Sequence, residues 1–183
     1  MKKIMWCVVG LMMIGWAAGC GSPKPQFVLR VNCAATEAYT DAAGSMWLAD
    51  QSMTGDNTWG ATDGEIVDRG ELGMETTAPR VYETERYSMS GYTFTLAPGS
   101  YTVRLHFAET YDGITGAGER VFDVTINGET VLKDFDVYKE AGGSEKPVVK
   151  VLRGMQPTEG KITIGFVANI QNPEINGIEI LSE

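Results

Sequence analysis

Three aromatic side chains in turn-rich surroundings, Trp59, Tyr87 and Tyr111, carry the most suggestive chemistry in this 183-residue chain. They fall in loops or at strand ends and are flanked by Gly, Asp or Thr. A sugar ring presents a C–H face that stacks on an aromatic ring, while its hydroxyls need a few placed polar groups. Aromatics exposed in this way, bordered by Asp and Asn, describe a carbohydrate platform. For each ring taken singly, packing in a core is the alternative.

The remaining reactive groups point away from catalysis. The single histidine, His106, lies mid-strand beside Arg104. A Ser-His-Asp or Cys-His arrangement must be built on it or not at all, and a solvated or satisfied sheet-face histidine is the simpler reading. Cys33 has no sequence neighbour that would depress its pKa, and reads as a buried structural thiol. The glycine-rich stretch from Gly113 to Gly118 follows a strand, opens no helix and lacks the Lys-Ser/Thr of a P-loop, so it reads as a mobile loop. Carboxylates are plentiful, 24 in all, and a glycosidase would need a pair about 5 to 10 Å apart. Glu109, Asp123 and Asp136 fall in or beside strands, where pairing with Arg120 or Arg86, or a structural calcium ion, explains them as well. No cofactor is expected, and the histidine and cysteine counts offer no zinc site.

Short strands must position these groups. Phe27 to Asn32 is rich in strand formers. Ala34 to Arg80 is rich in Gly, Asp and Thr and predicts long irregular loops holding short strands, a length of loop that is commonly functional. Seven further β-rich runs follow: Tyr92–Leu96, Tyr101–Glu109, Arg120–Ile126, Thr130–Leu132, Pro147–Leu152, Lys161–Ala168 and Ile175–Leu181. Tyr101, Val103, Leu105 and Phe107 alternate with Thr102, Arg104 and His106, the period of a half-buried strand. Asn127-Gly128 is a two-residue hairpin signal, and Pro98-Gly99 marks another turn. No convincing amphipathic helix is present beyond the leader. The pattern predicts a single all-β domain, a β-sandwich or jelly roll.

The first 19 residues have a different character. Lys2 and Lys3 precede the uncharged run Ile4 to Ala18, and small residues lead to Cys20, the layout of a secretory signal. The run is short of the roughly 20 residues a spanning helix needs. Small residues leading directly into Cys20, with a Gly-Ser-Pro-Lys-Pro spacer behind it, resemble a bacterial lipoprotein signal, although Ala17 stands where leucine is usual. That resemblance implies lipidation of Cys20 and, because Gly21 follows, anchoring in the outer membrane. An ordinary secretory signal cut near Gly19 is the alternative. Residues 20–26 then form a lipid-anchored linker, and 27–183 the folded domain.

Without residues 1–19 the chain carries 13 basic and 24 acidic side chains, net −11. A domain so acidic lacks the basic stripe that nucleic acid requires, and its field disfavours strongly anionic ligands. Cys7 leaves with the leader and Cys20 is the lipidation site, so Cys33 has no partner for a disulfide.

Several elements occur in order: Arg30-Val-Asn-Cys33, Tyr82-Glu-Thr-Glu-Arg-Tyr87, Pro98-Gly-Ser-Tyr101, Leu105-His-Phe-Ala-Glu109 with Tyr111, Arg120-Val-Phe-Asp-Val-Thr-Ile-Asn-Gly128, Asp134-Phe-Asp136 and Asn172-Pro-Glu-Ile-Asn-Gly-Ile178. Together they resemble the malectin domain over Phe27 to about Leu181. The resemblance implies a galactose-binding-like jelly roll. The founding member is a lectin of the endoplasmic reticulum for glucosylated high-mannose glycans, and relatives occur in bacterial polysaccharide-degrading enzymes and plant receptor kinases. Carried over by motif, the sugar-contacting aromatics are Tyr87, Tyr111 and Trp59. Two positions depart from the animal lectin: Asp112 replaces an aromatic, and Gln171 stands where it has an aspartate. Asn32-Cys33 also leads into Ala34-Ala35 where the family has glycines. The expectation is a lipid-anchored, non-catalytic protein binding a neutral oligo- or polysaccharide through Trp59, Tyr87 and Tyr111, with Asp112 and Gln171 meeting hydroxyls. A surface assembly module with a protein partner is the rival, and a glycosidase ranks third.

Overall fold

The computed structural model describes residues 26–183, so the leader, Cys20 and the linker up to residue 25 lie outside the described residues. In chain order the first elements are β1 (Val28–Asn32), β2 (Tyr39–Thr40), β3 (Met46–Ala49), β4 (Trp59–Ala61), β5 (Glu65–Asp68), α1 (Pro79–Glu83) and β6 (Thr84–Tyr87). There follow β7 (Gly91–Thr95), β8 (Tyr101–Phe107), β9 (Val121–Ile126), β10 (Glu129–Phe135) and α2 (Val137–Ala141). The last are β11 (Val148–Met155), β12 (Lys161–Ile170), β13 (Glu174–Ile175) and β14 (Gly177–Ser182). Two main sheets run β11-β8-β14-β1-β3-β2 and β10-β9-β12-β7-β4, and a smaller one runs β13-β6-β5.

The period-2 pattern explains how the main sheets pack. Val103, Leu105 and Phe107 of β8 with Ile178 and Ile180 of β14 meet Phe94 of β7, Phe122 and Val124 of β9, and Ile162 and Ile164 of β12 in one core. Burying each such side chain contributes roughly 1.5–3 kcal/mol, so this layer is the main source of stability. The protein is an all-β sandwich. Asn127 and Gly128 both take positive φ, 51° and 84°, and close the β9–β10 hairpin as a two-residue turn of the primed type. Cys33 is fully buried, and burial pushes its thiol well above the ordinary range.

Two features depart from expectation. The outer face of β8 is covered at both ends, where Thr102 and His106 are buried, while Arg104 between them stays partly exposed. A second small core of Trp47, Met74, Ala78, Val81, Tyr82 and Ala108, partly built on α1, covers its His106 end. There His106 lies between the Tyr82 hydroxyl, 2.8 Å from Nδ1, and Glu179 Oε1, 3.0 Å from Nε2, while Arg30 Nε donates to Glu179 Oε2 at 2.8 Å. Burial alone would raise the Glu179 carboxyl, but bonding and charge from His106 and Arg30 outweigh it and hold it at about 2. The described residues also form two helices of 5 residues each. One turn shows no amphipathic period; α2 follows from local capping, with Asp136 accepting from Lys139 N at 2.9 Å and Gly142 ending it at φ 75°, whereas α1 opens on Pro79 without a side-chain cap.

Candidate functional site

The site grows from β6, which pairs with β5 on one side and β13 on the other. Val67 stands opposite Glu85, and Glu65 and Glu174 stand opposite Tyr87. Cross-strand partners and residues two apart share a face, so Val67, Glu85, Tyr87 and Glu174 look the same way. The alternate residue, Arg86, points to the other side and fixes the strand: its Nε donates to Asp50 Oδ2 at 2.8 Å, and its Nη1 donates to the Asp63 and Gly64 carbonyls at 3.0 and 3.1 Å. Onto the first face converge Tyr111 beyond β8, Arg120 ahead of β9 and the Gln171–Asn172 turn between β12 and β13. They enclose a cavity of about 300 Å³ lined by Val67, Arg69, Glu85, Tyr87, Tyr111, Arg120, Gln171 and Asn172.

Charged groups are packed below it. Arg69 Nη2 donates to Glu85 Oε1 at 2.7 Å, and the Thr110 hydroxyl donates to the other Glu85 oxygen. Arg120 Nε lies 3.0 Å from Glu109 Oε2. Glu109 and Glu174 are 0% exposed. Burial raises the Glu109 carboxyl even with Arg120 beside it, and raises Glu174 well above the usual range, the Glu85 charge adding to the effect. Eight buried side-chain polar atoms among the described residues make no hydrogen bond of good geometry in the protein, and six are here: Arg69 Nε, Arg120 Nη1, both Glu174 oxygens, and Glu109 Oε2 and Arg120 Nε, which face each other only as an ion pair. Such groups are rare in folded proteins and cost about 1–3 kcal/mol each. Their concentration under one cavity marks a place where the fold sacrifices stability, as functional sites do.

Tyr111 is 40% exposed, with the Arg69 guanidinium 5.6 Å from its ring centroid. Gly113 lies against the same ring, where a Cβ would come within 2.6 Å of Tyr111 Cζ. Gln171 takes φ 59°, a left-handed conformation uncommon outside glycine, and its side-chain oxygen accepts from Asn172 N at 3.1 Å. Beyond Tyr111 lies a second cavity of about 350 Å³, which Tyr111 also lines together with Thr110, Asp112, Ile114, Thr115, Tyr138, Ser144 and Glu145. The intervening segment is tied down and is not a loose loop. Ile114 N donates to Tyr111 O at 3.0 Å, Thr115 N to Glu119 Oε2 at 2.6 Å, and Gly118 N to Asp136 Oδ2 at 2.6 Å.

With this geometry in place, the family model described as the malectin domain matches residues 27–178. The chain belongs to the malectin domain family. It is 26% identical to human malectin over 195 residues, covering 94% of this chain and 63% of that protein. It is 37% identical over 107 residues to a probable LRR receptor-like serine/threonine-protein kinase of Arabidopsis thaliana, covering 54% of this chain and 10% of the kinase. The chain thus spans less than two thirds of the length of these relatives. Among solved structures it resembles Bacteroides uniformis beta-glucuronidase 2 at TM-score 0.75 and 25% identity, covering 86% of this chain and 18% of that enzyme. It shares the fold of the plant receptor-like kinase FER in complex with the peptide RALF23 and LLG2, at TM-score 0.65 and 22% identity over 84% of this chain and 48% of that one.

In this malectin domain three of the five residues expected at the site meet in one cavity: Tyr87, Tyr111 and Gln171. Asp112 lines the neighbouring one. Trp59 does not join them. It belongs to β4, opposite Phe94 of β7, and its ring stacks on Phe94 at 6.3 Å with 9° between planes. Only 9% exposed, it is a core residue and offers no face to a ligand. The carboxylates have structural partners: Glu109 meets Arg120, Asp123 accepts from Lys133 Nζ at 2.6 Å, and Asp136 caps α2. Among the described residues no group of three or more His, Cys, Asp or Glu side chains is arranged to hold a metal ion. Sequence reading missed Arg69, Glu85 and Arg120 as wall residues. Strand alternation could have found Glu85, two residues before Tyr87 on the same strand; nothing local signals Arg69.

Proposed function

We propose that the chain is a lipid-anchored, non-catalytic carbohydrate-binding protein that holds a neutral oligo- or polysaccharide in this cleft. Tyr87 and Tyr111 supply stacking faces, and Gln171 and Asp112 meet hydroxyls. The observation that carries this reading is the convergence of Tyr87, Tyr111 and Gln171 on one polar-floored cavity. Membership of a carbohydrate-binding family supports the ligand class. A non-catalytic role is supported by the state of Glu85, Glu109 and Glu174, which are buried beneath the cleft and packed among Arg69 and Arg120. Affinity is expected to be micromolar or weaker, since few contacts must offset the ordering of hydroxyls and water.

The leader at 1–19 and the acceptor Cys20 carry the second half of the reading, export and attachment to the outer membrane. Two or three acyl chains at about 0.8 kcal/mol per buried methylene make a durable anchor. Cys20→Ser should release the protein from the membrane fraction. The ligand is tested by calorimetric titration against plant, algal and microbial glycans. Binding by none of them, or equal binding by Tyr87→Ala and Tyr111→Ala, refutes the cleft.

A second reading, recognition of a protein partner at the cell surface, is favoured by one observation: the fold is shared with a receptor solved together with a peptide. Capture of a defined protein partner that sugars do not displace would support it.

A further inference from the structure

A third cavity, of about 500 Å³, shares no lining residue with the cleft, and we infer that it seats a lysine or arginine side chain of a basic polypeptide partner. Thr36, Glu37, Tyr39, Glu71, Arg80 and Glu83 stand around it. The inference goes beyond the carbohydrate reading, whose ligand lies elsewhere on the molecule.

Strand alternation separates this cavity from the cleft. Val67 and Arg69 line the cleft, whereas Asp68 between them turns away and takes the Arg80 guanidinium on both oxygens, at 2.8 and 2.5 Å. That leaves Glu83, at the end of α1, poorly served. The residue is 7% exposed, yet among the described residues its carboxylate makes no hydrogen bond, and its ion contact is Arg80 Nη1 at 3.5 Å. A carboxylate taken this far out of water calls for a closely placed donor.

Charge fixes the sign of the ligand. Glu37, Glu71 and Glu83 line the cavity with Arg80 as its basic residue, and Asp68 already holds that arginine. The field of the acidic domain draws cations in the same direction. Among the described residues these carboxylates are not gathered into a group that would hold a metal ion. Spread around so wide a space, they suit an ammonium or a guanidinium, whose several N–H donors reach different oxygens. Tyr39 adds a half-buried aromatic ring, on which such a cation also packs.

The backbone beside the cavity selects a polypeptide as the carrier of that cation. Tyr39 belongs to β2, the edge strand of its sheet. Thr36, Glu37 and Ala38 lead into β2, are exposed, and among the described residues make no main-chain hydrogen bond. An extended chain laid along this edge finds free donors and acceptors, and every second side chain turns to the face where the cavity lies. An amino sugar or a free polyamine would meet the carboxylates and leave the edge unpaired.

The test is titration of the isotope-labelled full chain with the end-capped peptide Val-Thr-Arg-Thr-Val, followed through backbone amide signals. Those of Thr36 to Tyr39 and of α1 should shift, and those of Tyr87 and Tyr111 should stay. The same peptide with citrulline for arginine keeps the shape, loses the charge, and should bind about tenfold more weakly; so should the arginine peptide to Glu83→Gln. Glu37→Gln, at an exposed position that leaves folding intact, should weaken binding about threefold and flatten its dependence on salt. Agmatine and a glucosamine oligomer carry the cation without a peptide backbone and should bind about tenfold more weakly than the peptide. Either of them binding as tightly overturns the polypeptide assignment. No binding of the arginine peptide, equal binding of its citrulline form, or shifts confined to the cleft overturns the site itself. Glycan titration of Glu83→Gln should match wild type, so loss of this site and loss of the carbohydrate reading are told apart.

Discussion

Tyr87 and Glu174 stand directly opposite each other across the β6–β13 ladder, a cleft aromatic beside a fully buried carboxyl with no hydrogen-bond partner. The proton on that carboxyl has a measurable consequence. Folding raises the Glu174 pKa, so the folded state keeps a proton that the unfolded chain loses above about pH 4.3. The favourable contribution is complete below that value and is lost as pH rises toward the folded pKa, with a slope of at most about 1.4 kcal/mol per pH unit. Glu109 acts in the same direction. Urea unfolding of wild type and Glu174→Gln across the neutral range checks this. The wild type should lose stability relative to the variant as pH increases; parallel curves would contradict the buried proton.

Glu179 has the opposite sign. Its carboxyl is held at about 2 in the folded state, so its contribution is present above the unfolded value of about 4.3 and disappears as pH falls toward 2. Glu179→Gln should cost about 2–4 kcal/mol near neutrality, because it leaves His106 and Arg30 facing a neutral amide. That gap should narrow in acid. Unfolding free energies of both proteins along a pH series measure it, and a gap that stays constant removes the assigned role.

Trp59 and the cleft tyrosines should separate cleanly. Trp59→Ala removes a buried ring stacked on Phe94 and should destabilise the fold by about 3–5 kcal/mol. The folded fraction should keep its ligand affinity. Tyr87→Ala and Tyr111→Ala should do the reverse, weakening binding by about 1.4 kcal/mol or more, a factor of ten, with little change in thermal midpoint. Titration and melting of the three variants side by side decide the matter, and a ligand-affinity loss confined to Trp59 would restore it to the site.

Gly113→Ala tests the position of the Tyr111 ring. The new methyl would sit 2.6 Å from Tyr111 Cζ, so the ring must swing away while the core is untouched. Affinity should fall as far as in Tyr111→Ala, and the unfolding midpoint should hold. Retained affinity would mean that this ring pose is not the binding pose.

The sandwich was legible because its strands alternate: Val103, Leu105 and Phe107 read as one face, and Asn127-Gly128 as a primed turn, from local sequence alone. Burial of the opposite face was not. His106 is covered by Trp47 and Tyr82, residues far away in the chain, so no window around His106 could show it. The same distinction separates the site residues. Tyr87 and Tyr111 reached the cleft as expected because strand ends and turns put them at the surface. Trp59, among equally turn-like neighbours, was drawn into the core by Phe94, a partner set by the β4–β7 ladder. Arg120 was expected as a carboxylate partner, and pairs with Glu109, but neither it nor Arg69 was expected in the cleft wall, because that placement depends on three carboxylates gathered from separate strands and loops.

Phe27 and Ser182 bond to each other, N to Oγ and N to O at 2.9 Å each, where β1 and β14 begin and end. At the opposite end of that pair, Asn32 and Gly177 lead into Cys33 and Asn176, and so into the β13 strand behind the cleft. Five residues of β1 at about 3.3 Å each put roughly 16 Å between the two poles. Chain entering and leaving the domain does so from one pole, side by side, with the cleft at the other. A tether attached there, as proposed above, would leave the cleft facing away from the surface. Paired exits also let the same body be spliced into a longer polypeptide without bending either neighbour around it.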